Sequence, residues 1–265
     1  MSRRALVTGA NGAFGTALRD ELRGRGWSVV GLDLEADGDE VMACDVTDDD
    51  AVPPAVATAA QRLGGLDALI NNAGIGGPAS AGDPPGDHVK QMIDVNLLGA
   101  WRVTAAAIDH LVESCGRVVL LGSRQSFIGL PFGAAYGMSK RALTAYADAL
   151  RAEYGTHVSV TCIHPAFVRT PIHDSTRAAG LQLEGFSTEE PLEQVVTRIV
   201  EACEGARPGR DVAVTRAGAL QMAVARHLPR VVDRVVARKL AKHIEAGALD
   251  EADIAAGLRA RHKRT

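Results

Sequence analysis

Seven short apolar runs recur along the chain, at residues 5–8, 28–33, 41–44, 68–71, 117–122, 158–164 and 211–214. Each is rich in Val, Leu or Ile and nearly continuous, the pattern of strands covered on both faces rather than one. Between them lie helix-length stretches at 15–24, 48–62, 87–113, 136–154 and 188–204. Strand alternating with helix requires crossover connections, so the pattern predicts an α/β fold: a single doubly wound parallel sheet flanked by helices. Pro53 and Pro54 fall near the start of the second helix, where a missing N–H is tolerated. Residues 171–191 break the alternation and read as a loop or short helices. Beyond Arg216 no strand signal remains, only helical sequence interrupted at Pro229 and Gly247. The expected organisation is one domain over residues 1–215 and a C-terminal helical extension over 216–265.

Composition changes this picture only in the extension. With 46% apolar and 23% charged residues the chain is ordinary globular material, and its net charge of −3 argues against nucleic acid as a partner. The extension nevertheless carries 11 Lys and Arg against 5 Asp and Glu, a net +6 that leaves the remainder at −9. Arg226, Arg230, Arg234, Arg238 and Lys242 recur at spacing four beside Val224, Leu228, Val231, Val235 and Leu240. This is a basic amphipathic helix. The expectation is that it packs on its own acidic domain or on another subunit, with an anionic membrane surface as the alternative. Cys44, Cys115, Cys162 and Cys203 form no CxxC pair, no apolar run reaches the ~20 residues of a membrane span, and no signal-peptide core follows Arg3 and Arg4. A cytoplasmic location is expected.

Chemistry first shows after the first strand. Gly9, Asn11, Gly12, Ala13, Phe14 and Gly15 form a glycine-rich turn opening the first helix. Such a turn lets backbone N–H groups at a positive helix end approach a pyrophosphate. The second strand ends at Asp33, whose carboxylate can accept from adenosine ribose hydroxyls and would repel a 2′-phosphate. No Lys or Arg stands in the loop or beside Asp33, so NAD is expected over NADP. Further on, Tyr136 and Lys140 stand at i and i+4 and share one helical face. A free phenol titrates near ~10, too high for easy proton exchange at neutral pH. A neighbouring ammonium is expected to lower it by about two to three units, roughly 3–4 kcal/mol.

These pieces together resemble the short-chain dehydrogenase/reductase family, from Ala5 to about Val214. The ordered set is the glycine loop, Asp33, Asp45-Val46, Asn71-Asn72-Ala73-Gly74, Asn96, Ser123, Tyr136/Lys140, and Pro165 through Thr170. The resemblance implies a Rossmann-type fold and an oxidoreductase moving a hydride between nicotinamide and an alcohol or carbonyl. By the same resemblance Ser123 binds the substrate oxygen, and Tyr136 exchanges its proton. Lys140 would hold the nicotinamide ribose, while Asn96 bends its helix and positions a relay water. Asp45 and Val46 would meet adenine; Asn72, Ala73 and Gly74 the adenosine-side ribose; Pro165, Val168 and Thr170 the nicotinamide. No metal is implied, and a homodimer or homotetramer is expected. Two departures stand out: Ala13 replaces a usual glycine, giving TGxxGxxG, and Ala166 replaces the glycine of a Pro-Gly pair. Phe127, Ile128, Leu130, Phe132, Ile172, Leu181, Leu183 and Phe186 suggest an apolar substrate wall. His173, Arg177 and Arg124 leave open a polar substrate. The alternatives are an NADPH-linked 3-oxoacyl thioester reductase, disfavoured by Asp33, and a non-catalytic dinucleotide-binding or membrane-surface protein.

Overall fold

A computed structural model describes residues 2–181, 188–206 and 208–262. Seven parallel strands form one sheet in the order β3-β2-β1-β4-β5-β6-β7. They are β1 (Arg4–Thr8), β2 (Ser28–Asp33), β3 (Val41–Ala43), β4 (Ala68–Asn71), β5 (Arg117–Leu121), β6 (Ser159–His164) and β7 (Asp211–Ala213). Alternate residues of each strand feed two cores. Leu6, Val30, Leu69, Val118 and Val160 pack on one face, while Ala5, Val7, Val29, Ile70 and Val119 pack on the other. Burial on both faces is why the runs are continuous instead of alternating. Helices α2 (Val52–Leu63), α4 (Ala100–Glu113) and α5 (Ala134–Tyr154) cover the first face, and α1 (Ala13–Gly24) and α7 (Leu192–Glu204) the second.

The predicted helices differ from the observed ones for local reasons. The second was expected from residue 48, but the Asp48 carboxylate accepts the N–H groups of Asp50 and Ala51, each at 2.9 Å. That side-chain turn postpones the helix to Val52. The stretch expected at 87–113 divides into α3 (Asp87–Ile93), a π-helical turn (Asp94–Gly99) and α4. The helix expected from 188 starts after Pro191. Within 171–191 lie a 3₁₀ turn (Pro171–His173) and the short α6 (Asp174–Ala178). Leu183 and Phe186 lie outside the described residues.

The C-terminal extension folds as α8 (Arg216–His227), α9 (Pro229–Glu245) and α10 (Ala256–His262). Pro229 occupies the first turn of α9, and the chain leaves it through Gly247 at φ 72°. The expected apolar row divides: Leu228, Val231 and Val235 remain 45–55% exposed, whereas Leu240 at its far end packs inward. Ile244, one turn further on, joins it. Leu240 and Ile244 pack, with Phe132, against buried Leu181, Leu249, Ala252 and Ala255. Among the described residues no helix is long and apolar enough to cross a membrane.

Candidate active site

A cleft of about 830 Å³ runs along the carboxyl ends of the strands. It crosses the gap between β1 and β4, where the strand order reverses direction, the position at which open parallel sheets bind ligands. Gly9 sits at φ +63°, and a Cβ there would come 2.8 Å from the Ala73 Cα. A Cβ on Gly15 would lie 2.1 Å from the Gly9 carbonyl oxygen, so the loop and α1 are in backbone contact. Gly12 is under no such pressure, its nearest neighbour lying 3.4 Å away. The shifted glycine spacing therefore leaves the turn intact, with Ala13 as the first residue of α1. No side chain caps α1 and its first turn holds no acid, so its uncommitted N–H groups face the cleft.

Every expected adenosine-side residue lines this cleft except Gly15, which is buried under the loop. Asp33 is fixed by two backbone donors, the N–H of Asn11 and that of Leu34, both at 2.7 Å. Asp45 accepts from the N–H and hydroxyl of Thr47, and Val46 abuts Gly99. Asn72 donates to the carbonyls of Thr8 and Gly9 at 2.9 and 3.0 Å. The Thr8 hydroxyl accepts the N–H groups of Asn72 and Ala73, a staple between β1 and β4 that sequence reasoning missed. The uncapped helix end, the close backbone approach and the anchored Asp33 fit a dinucleotide.

At the other end of the cleft, β5 and α5 bring Ser123, Tyr136 and Lys140 together. All three line the cleft, and the Ser123 hydroxyl acts to lower the Tyr136 pKa. Lys140 Nζ donates to the Leu121 carbonyl at 2.8 Å and lies 5.7 Å from the Tyr136 ring centre. Lowering of the tyrosine was expected from Lys140; this geometry produces the opposite. Burial pushes Tyr136 up to about 12 despite the Ser123 hydroxyl, and pushes Lys140 down to about 8. Desolvation of the phenol outweighs the neighbouring ammonium.

Asn96 lies in the π-helical turn, the bend expected of it. Its amide donates to the Ile75 carbonyl and the Ser139 hydroxyl, both at 3.0 Å, and accepts the Ile75 N–H at 2.8 Å. The side chain thus ties the loop after β4 to α5. Gly74 lies between Asn96 and Lys140. Pro165, Val168 and Thr170 border the cleft after β6, Val168 and Thr170 being buried.

Arg124 borders the cleft, but its side chain turns to a buried acid. Its side chain is 6% exposed and pairs at 3.3 Å with Glu190, itself 3% exposed. His164 was also missed. Its Nδ1 lies 3.2 Å from the Ser123 carbonyl and its Nε2 3.3 Å from Asp211. Burial pulls His164 down, but Cys162 and the Asp211 bond outweigh it and hold it at about 9. Asp211 is correspondingly lowered to about 2, first by that hydrogen bond. Cys162, His164 and Asp211 cluster closely enough to suggest a metal. The guanidinium of Arg226 lies 3.2 Å from the same Asp211 carboxylate.

Tyr136 also borders a small apolar recess of about 40 Å³, walled by Leu130, Phe132, Ile172 and Leu181. The C-terminal extension closes it with Leu240 and Leu249. His173 reaches this recess, its basicity lowered by burial and then by Arg177, while Arg177 is held by Asp174. Replacing Leu249 by Ala is expected to cost about 2–5 kcal/mol of stability and to raise KM for apolar substrates. NADH affinity should hold, because the cleft lining ends upstream at Ser175. Urea denaturation with steady-state kinetics measures both; unchanged stability and KM would remove the extension from the site.

Comparison with known proteins agrees with this geometry. The family model for short chain dehydrogenases matches residues 3–180. The chain therefore belongs to the short-chain dehydrogenase/reductase family of oxidoreductases. It is 36% identical over 186 residues to an uncharacterised oxidoreductase of Myxococcus xanthus, covering 64% of this chain and 74% of that one. To L-fucose dehydrogenase of Bos taurus it is 31% identical over 190 residues, covering 70% and 68%. A short chain dehydrogenase of Burkholderia cenocepacia, solved with NADP, superposes with TM-score 0.73 at 20% identity. That match covers 89% of this chain and 97% of the other and speaks for the fold alone.

Proposed function

We propose that the chain is an NAD(H)-linked oxidoreductase that interconverts an apolar alcohol and its ketone, with Tyr136 as the proton-transfer residue. The observation that carries this reading is that Ser123, Tyr136 and Lys140 line the dinucleotide cleft together, with Tyr136 also bordering the apolar recess. The nicotinamide, when bound, supplies or accepts the hydride; orientation and the proton are the protein's part. Ser123 holds the substrate oxygen, and Tyr136 Oη gives that oxygen a proton in reduction or takes it in oxidation. With its phenol held near 12, Tyr136 is protonated at neutral pH and ready as the donor for reduction. Oxidation needs the phenolate, so its rate should climb with pH. Lys140 contributes charge beside the ring while cationic, and Asn96 secures the loop that carries Gly74. Pro165, Val168 and Thr170 bound the nicotinamide end, and Gly9 through Gly15 with Asp33, Asp45, Val46, Asn72 and Ala73 the adenosine end. Exposed Trp101, stacked on Tyr146 at 4.8 Å, gives α4 and α5 a face for a homo-oligomer.

Preference for NAD over NADP rests on charge. The basic groups among the cleft-lining residues are Arg124, Lys140 and His173, all at the nicotinamide end. A 2′-phosphate beside Asp33 would meet a carboxylate with no cation, a repulsion of about 1–4 kcal/mol per charge pair near 4 Å. Fluorescence titration is expected to show NADH binding at least about tenfold tighter than NADPH. Asp33→Ala with Leu34→Arg should narrow or invert the ratio. Tighter NADPH binding by the parent would overturn the assignment, and a screen of alcohols and ketones then tests the substrate class.

A further inference from the structure

The buried Arg124–Glu190 pair is the feature the fold does not need and the site does. A guanidinium at this depth is expensive: burial lowers its pKa against the charge of Glu190, and its Nε finds no hydrogen-bond partner. Ion pairs withdrawn from water stabilise weakly or not at all against apolar residues of the same volume. What the pair does instead is read from its contacts. Arg124 directly follows Ser123, and its own N–H donates to the Pro165 carbonyl at 2.8 Å. Glu190 Oε2 accepts the N–H of Ala166 at 2.8 Å, while the Glu190 N–H donates to the Phe167 carbonyl at 2.8 Å. Glu190 therefore grips the loop after β6 from both sides, and Arg124 joins that grip to the serine. The pair is closed from outside by the C-terminal part of the chain. The Thr215 hydroxyl donates to Glu190 Oε1 at 3.1 Å, and Arg124 Nη1 donates to Gln221 of α8.

We propose that Arg124 and Glu190 are positioning residues that hold the Ser123 loop in register with the residue 165–170 loop, with α8 as the brace that closes the pair. Arg124 borders the cleft, but its side chain is committed to Glu190 and Gln221, so the pair acts through Ser123 and the 165–170 loop. The serine presents the substrate oxygen and the 165–170 loop bounds the nicotinamide, so their relative placement sets the hydride-transfer distance. This role rests on the catalytic reading of Ser123 and Tyr136, but its structural half does not. Misplacement of about 1 Å is enough to cost on the order of 100-fold in rate.

The informative variant is Arg124→Met/Glu190→Leu, which removes both charges together and fills the same space. Its melting temperature is expected to stay near that of the parent, while kcat falls about 10- to 100-fold. KM for NADH should stay within about threefold, and the deuterium isotope effect with 4-deuterated NADH should grow as hydride transfer becomes limiting. Hydrogen exchange supplies a readout that needs no substrate. The Ala166 amide should exchange at least about tenfold faster, with β4 and β5 unchanged. If the double variant does not fold, Gln221→Ala, which opens the brace from an exposed position, is read by the same two measurements. Unchanged exchange at Ala166 overturns the proposal. So does parental kcat with a parental isotope effect in a folded variant, which leaves the pair purely structural. Faster exchange in a chain that turns over no alcohol or ketone upholds the clamp and refutes the catalytic reading alone.

Discussion

Tyr136→Phe is expected to lower kcat by about 10²–10⁴-fold while leaving NADH affinity within about twofold. The substitution removes one hydroxyl from a partly buried ring and leaves the ring's packing beside Met92 and Ala135 intact. The lost atom is the phenol oxygen of the residue that lines both the recess and the cleft beside Ser123. Stability should change little, since phenylalanine needs no hydrogen-bond partner and Ser123 Oγ still accepts the Gln125 N–H at 3.1 Å. The cofactor cleft keeps its anchors at Asp33, Asn72 and the start of α1. Steady-state kinetics beside fluorescence titration with NADH separates these effects. Turnover near the parental rate would remove Tyr136 from the proton-transfer role. A parallel fall in NADH affinity would instead show that the residue shapes the cleft.

Much of this site was legible because its chemistry is local. The glycine turn, Asp33 at the end of β2, and Tyr136 four residues before Lys140 are short-range relations that survive unfolding of the chain into a line of letters. The strands were equally readable: β2 and β4 fall where the apolar runs do, since burial on both faces writes itself into every residue. Asn96 was placed correctly, but the π-helical turn that bends its helix leaves no mark in hydrophobic periodicity. Asp48 delayed α2 through a side-chain turn, a competition that propensity alone does not resolve.

What stayed hidden is long-range. Arg124 stands beside Ser123, yet its partner Glu190 lies 66 positions away, and a single sequence does not say which acid a buried arginine will meet. His164 precedes Pro165 and looks like the end of a strand; its bond to Asp211 exists only because β6 and β7 are neighbours. The extension misled for another reason. The apolar row read from the sequence meets the protein only at its far end, and periodicity does not tell which end docks. Its members beside Arg230, Arg234 and Arg238 stay exposed, and Leu240 with Ile244 reaches the core. In the cofactor-free chain the pKa of Tyr136 moves opposite to the direction expected from Lys140 alone, on similar grounds. Spacing shows that an ammonium is near a phenol, whereas burial, which decides the sign here, is a property of the assembled site.

Lys140→Met is expected to stabilise the protein at pH 7 even as it removes most of the activity. Lys140 is 3% exposed, and burial holds its amine near 8 against 10.5 for a free lysine. Keeping it charged in the folded state at pH 7 therefore costs about 3 kcal/mol. Methionine fills the same volume without that cost, but leaves the Leu121 carbonyl without its donor, a loss of about 1 kcal/mol. A net gain of about 2 kcal/mol should appear in urea denaturation of the cofactor-free protein. Its pH dependence is the sharper test. Between about 8 and 10.5 the unfolded chain binds a proton at this lysine that the folded chain does not, so parental stability rises with pH across that window. The advantage of the methionine variant should accordingly be full below pH 8 and fade towards 10.5. Activity moves the other way: with no charge beside the Tyr136 ring, kcat should fall about 10²-fold or more. A methionine variant less stable than its parent at pH 7, or a stability gap that ignores pH, would show that the protein carries this ammonium at no cost.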